Sequence, residues 1–125
     1  MRKGFWALAV LLVATFSVQA GAGSQAVVYK NEGCGHCGPY LIELKAALAE
    51  LGITDVTEKE FVNDQAIRRE LAQLQESFNV PLTMQGHMVT VVDGKYVFEG
   101  HIPVEKVKAF LKNPTSEKMV VYLDS

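Results

Sequence analysis

Ala26-Val27-Val28-Tyr29, Asn31-Glu32-Gly33, Cys34-Gly35-His36-Cys37 and Pro39 follow one another as a short β-prone run, a loop, and a C-x-x-C at the mouth of a helical pattern. Pro39 suits the first turn of a helix, and Leu41, Leu44, Leu48 and Leu51 recur along one helical face. A dithiol so placed sets its first thiol over the unsatisfied N–H groups of the first turn, whose partial positive charge favours thiolate. Thiolate attacks disulfides and binds soft metals, so the segment points to a redox dithiol or a metal site. These are the only two cysteines in the chain.

Downstream, the pattern alternates strand and helix. Gly52 is a natural helix stop, and Val56 to Val62 is a weaker strand candidate. Asn63 or Asp64 can cap a second helix with the stripe Ile67, Leu71, Leu74 and Phe78. Met88 to Val92 and Lys95 to Phe98 flank Asp93-Gly94, a strong hairpin signal. Gly100 turns the chain, and Pro103 opens a last helix lined by Val104, Val107, Phe110 and Leu111 that ends at Pro114. Met119 to Leu123 is an apolar tail that suits an edge strand or a surface-packed segment equally well. The order is βαβαββα, an α/β class with a central mixed sheet and flanking helices.

Upstream, Arg2 and Lys3 precede an apolar run from Phe5 to Val18 that ends in Val18-Gln19-Ala20, the layout of a secretory signal peptide cut after Ala20, with Ala22 as a second position. This divides the chain into a signal peptide (1–20), one domain (21–114) and a C-terminal tail (115–125). The expectation is a periplasmic or extracellular protein with no membrane segment in its mature form. There a cysteine pair is normally oxidised. A structural disulfide usually closes a long loop, and this pair closes over two residues, so a purely structural role is disfavoured.

Of the 125 residues, 12 are basic and 14 acidic; without Arg2 and Lys3 the remainder carries 10 against 14, a net charge of −4. Such a balance argues against nucleic acid or an anionic membrane as partner. There is no internal repeat and no low-complexity tract, and the single Trp falls in the signal peptide.

A dithiol after the first strand of this element order resembles the thioredoxin fold, and Cys34-Gly35-His36-Cys37 is similar to the tetrapeptide of protein disulfide isomerases. The resemblance implies a redox-active centre with Cys34 as nucleophile, Cys37 as resolving thiol and His36 lowering the thiol pKa, without a required cofactor. Isomerase-type pairs sit near roughly −180 mV, against about −270 mV for thioredoxin. The chain departs from the family in three places. Gly33 stands where an aromatic residue usually precedes the first cysteine, and Val27-Val28-Tyr29 lacks the usual buried acid. Gly86 or His87 falls where a cis-proline normally covers the sulfurs, with Pro81 about five residues too early by the element spacing. A glycine and a histidine there are expected to open the site and to aim a ligand at it. His36, His87 and His101, all the histidines of the chain, are expected to converge on the dithiol.

Gln85-Gly86-His87-Met88, Val92-Asp93-Gly94-Lys95-Tyr96 and Glu99-Gly100-His101-Ile102-Pro103 also resemble a family of small exported proteins described as metal-binding and often copper-related. That family carries C-G-C-C, S-C-H-T, D-G-Y and E-G-H-V-P. Residue by residue, Cys34 and Cys37 match its outer cysteines and His87 and His101 its histidines; His36 and Gly86 replace two further cysteines.

Two expectations follow. The first is a thiol–disulfide oxidoreductase acting with a redox partner protein or thiol client. The alternative is a soft-metal binding or delivery protein holding Cu(I) or Zn(II) through Cys34, Cys37, His87 and His101, with the thioether of Met88, or less readily Met84, as a further donor.

Overall fold

The computed structural model describes residues 24–122. The expected signal peptide, with its expected cleavage after Ala20, lies outside the described residues. No helix among the described residues is long and apolar enough to cross a membrane.

Among the described residues five strands and three α-helices follow in the order β1 (Gln25–Lys30), α1 (Cys37–Glu50), β2 (Asp55–Glu60), α2 (Gln65–Ser77), a 3-10 turn (Leu82–Met84), β3 (Val89–Val92), β4 (Tyr96–Glu99), α3 (Val104–Lys112) and β5 (Met119–Tyr122). The strands form one mixed sheet in the order β2-β1-β3-β4-β5. β1 runs parallel to β2 and antiparallel to β3, β3 pairs antiparallel with β4, and β4 runs parallel to β5.

Period-two alternation divides the apolar side chains between the two faces of the sheet. Ala26, Val28, Val92, Tyr96 and Phe98 share a core with Leu41, Leu44 and Leu48 of α1 and Val107 of α3. Tyr29, Val89, Val91 and Val97 face the other way, against Leu71 of α2 with Ile67, Leu74 and Phe78 beside it. The strands β3 and β4 are buried on both faces and are accordingly mostly apolar, with Thr90 and Glu99 as the buried polar exceptions.

Local chemistry sets the boundaries. Asp64 caps α2 by accepting hydrogen bonds from the backbone N–H groups of Ala66 and Ile67 at 3.0 and 3.1 Å. Asp93 and Gly94 both take positive φ, 56° and 61°, as a two-residue hairpin turn requires. The strand expected at Val56 to Val62 instead occupies Asp55–Glu60. Pairing with β1 stops at Lys30↔Glu60. There the Glu60 carboxylate turns back to accept the N–H groups of Val62 and Asn63, at 2.7 and 3.0 Å. The apolar tail, left open between two arrangements by its sequence, joins the sheet as β5 beside β4, with Val120 and Val121 on opposite faces.

Candidate functional site

The loop from β1 to α1 is built by Asn31. Its side-chain oxygen accepts the Gly33 N–H at 2.8 Å and its backbone carbonyl accepts the Cys34 N–H at 3.1 Å, a local turn that presents Cys34 at the end of the strand. Cys37, rather than Cys34, is the first residue of α1, with the exposed His36 as N-cap residue. Cys34 precedes the cap by two positions, its carbonyl accepts the Cys37 N–H at 3.3 Å, and its disulfide to Cys37 keeps its sulfur at the start of α1.

The two cysteines form a disulfide with Cα atoms 5.5 Å apart. They are not equivalent. Cys34 is half-buried, and both cysteines border a groove of about 320 Å³ with Lys30, Asn31, Glu32, Gly35, Gly38 and Leu41. Cys37 is only 5% exposed and belongs to the α1-side core.

His101 reaches this pair from the loop between β4 and α3. Its Nε2 lies 3.2 Å from Cys37 Sγ and 3.8 Å from Cys34 Sγ. Against a disulfide the imidazole can only donate; against a reduced pair it can accept a thiol proton or donate to a thiolate. Burial holds the His101 pKa below its usual value, and the positive charge of His36 and of His87 pushes it further in that direction. The imidazole therefore favours its neutral form, the form able to take a proton from a thiol.

The other histidines take lesser places. Cys34, Cys37 and His101 bring three donor atoms within 4.8 Å of one another, and no further His, Cys, Asp or Glu among the described residues joins that group. His87 is exposed and lines a small cavity of about 160 Å³ with Gly86, Gly100 and His101. The structure thus brings His101 to the sulfurs and leaves His36 and His87 at the rim, where they act on His101 by charge. Met88 is wholly buried in the α1-side core, and Met84 is exposed on the 3-10 turn.

Gly86 borders the same cavity as His87 and also brings two loops together. A Cβ there would lie 2.6 Å from both the Cα and the N of Gly100. The two loops are pinched backbone to backbone, a contact only glycine permits. The Gly100 N–H donates to the Met88 carbonyl at 2.7 Å, and the Gly86 N–H donates to Glu99 Oε2 at 3.1 Å.

Two site-building residues escape sequence reasoning. Glu99, 2% exposed, accepts from Gly86 on one oxygen and from Gln75 Nε2 of α2 on the other, at 3.0 Å. Burial raises its pKa above the usual carboxylate value, and the two donated hydrogen bonds oppose that rise. The available signal is an acid in register with Val97 on an otherwise apolar strand. Tyr40 stands one helical turn after Cys37, which places it beside the dithiol. Its ring centroid is 4.9 Å from that of His101, tilted by 35°, and its hydroxyl donates to the Ile102 carbonyl.

In comparisons with protein-family models, with curated proteins and with solved structures, the chain matches none.

Proposed function

We propose that the protein is an exported thiol–disulfide oxidoreductase on a thioredoxin-like scaffold, with Cys34 as nucleophile and Cys37 as resolving thiol. The observation that carries the reading is the asymmetry of the pair: both cysteines border one groove, but Cys34 is half-buried, whereas Cys37 is 5% exposed and lies closer to the His101 imidazole. The βαβαββα order, extended by β5, the mixed sheet and a dithiol that spans the β1–α1 loop and the first residue of α1 support the scaffold.

The exchange is a pair of thiolate displacements. The Cys34 thiolate attacks one sulfur of a client disulfide, forming a mixed disulfide and releasing the other client sulfur as thiolate. Cys37 gives its proton to the His101 imidazole and attacks Cys34 Sγ, releasing the second client thiol and closing the Cys34–Cys37 bond. Run backwards, the same steps oxidise a dithiol client. The test is a pair of variants. Cys34→Ser is expected to abolish exchange with a disulfide peptide, whereas Cys37→Ser is expected to accumulate a mixed disulfide visible by intact-mass spectrometry. Undiminished exchange in Cys34→Ser would end this reading.

The three-donor cluster favours a second reading, in which the reduced pair and His101 hold a soft ion. Two thiolates and one imidazole suit three-coordinate Cu(I); Zn(II) would need a fourth donor. Anaerobic Cu(I) titration of the reduced protein is expected to show affinity lowered at least about tenfold by His101→Ala and unchanged by His87→Ala, because loss of a ligating group typically exceeds the 10- to 100-fold cost of disturbing a ligand's support. Equal affinities for the wild type and His101→Ala would remove the metal claim.

A further inference from the structure

His101 is carried on a short connection between two elements. It follows Gly100, whose φ of +86° is the backbone setting of a sharp turn, and it lies between the end of β4 and the start of α3. The Gly86–Gly100 contact, the Gly100–Met88 hydrogen bond and the buried Ile102 side chain hold the backbone of the loop but do not by themselves orient the imidazole toward the two sulfurs. Something else must, and the candidate is on α1. The Tyr40 ring packs on the imidazole at 4.9 Å between centroids, and the Tyr40 hydroxyl bonds the carbonyl of Ile102, the next residue of the same loop. One side chain thus grips the loop at two points, the imidazole itself and the peptide after it. Because Tyr40 and Cys37 share a face of α1 one turn apart, the grip is referenced to the sulfurs by a rigid helix.

We propose that Tyr40 is the positioning residue that holds the His101 imidazole against the Cys34–Cys37 pair and thereby sets the poise of that pair. The inference rests on the oxidoreductase reading above. Tyr40 acts through His101, so removing it takes away what His101 contributes to the equilibrium between dithiol and disulfide. Burial, reinforced by the charge of Glu43, pushes the phenol pKa up to about 12, so the hydroxyl remains a donor throughout the working range of a thiol enzyme.

The experiment is a double-mutant cycle read as the redox equilibrium of the protein with glutathione. His101→Ala is expected to move the equilibrium constant about tenfold, which is about 30 mV for a two-electron couple. Tyr40→Ala is expected to move it in the same direction by at least about threefold, and the double variant is expected to match His101→Ala alone. Tyr40→Phe, which keeps the ring contact and loses only the hydrogen bond to Ile102, is expected to move the equilibrium in the same direction by less than Tyr40→Ala, and it supplies the test if Tyr40→Ala does not fold. Additive shifts in the double variant, or a Tyr40 variant that leaves the equilibrium unmoved while His101→Ala shifts it, would overturn the positioning role and leave the oxidoreductase reading standing. A wild-type protein inert to glutathione would defeat that reading first, and this inference with it.

Discussion

At the scale of single residues, Glu99 is the informative case. A carboxylate with 2% exposure keeps its place by accepting from two neutral donors, Gln75 and Gly86, and has no ion-pair partner among the contacts described. Burial raises its folded pKa above the unfolded value. A raised carboxylate pKa contributes stability that is complete below the unfolded pKa and is lost as pH rises through the folded one. Glu99→Gln carries no charge to desolvate and can keep both hydrogen bonds if the Gln75 amide turns over. It is therefore expected to melt above the wild type at pH 7, with the gap closing as the pH falls toward about 4.3, the ordinary carboxylate value. Melting scans across that range check it; a gap that widens on acidification would contradict the assignment. Neither Glu99 nor Tyr40 announces itself in the sequence, because each derives its role from partners far along the chain: Gln75 is 24 residues away from Glu99, and Ile102 is 62 away from Tyr40.

At the scale of elements, the helices and the hairpin were legible because each is written locally. Leu41, Leu44 and Leu48 mark the buried face of α1, Asp64 marks the start of α2, and Asp93-Gly94 dictates the turn. The limits of β2 were not, since its end is set by pairing with β1 and by the Glu60 side chain, whereas the apolar pattern runs on through Phe61 and Val62. The loop pair at the site shows the same division. His101 could be picked out from Gly100-His101-Ile102-Pro103, but the contact between Gly86 and Gly100 belongs to neither segment alone. Gly86→Ala forces a Cβ against backbone atoms that cannot swing aside, so the loops must part. Overpacking of this kind costs about 1–3 kcal/mol. A urea midpoint lowered accordingly, together with weakened reactivity of the dithiol, is the expected outcome; an unchanged midpoint would show that the two loops are not locked together.

At the scale of the whole molecule, the sheet is finished by residues that the sequence divides from the domain. β5 covers the outer edge of β4, Val120 and Val121 pack on opposite faces, and Thr115 accepts from the Tyr96 hydroxyl on the way. Ending the chain at Asn113 uncovers the edge of a strand that is buried on both faces. Loss of the two half-buried valines alone should cost about 2 kcal/mol, with self-association at raised concentration as the companion symptom. Urea unfolding and sedimentation of the truncated chain check both, and full stability as a monomer would show that the tail is dispensable.

The cysteines are separated by three positions in the chain, so their bond shortens the denatured ensemble very little. Whatever difference in melting exists between oxidised and reduced protein must then arise almost entirely from the folded surroundings of the sulfurs. By a closed thermodynamic cycle, that difference equals the gap in potential between the native pair and the same four residues in an unstructured peptide, at about 1.4 kcal/mol for each 30 mV. Two calorimeter scans, one with reductant and one without, therefore gauge the electron affinity of the centre before any client has been found.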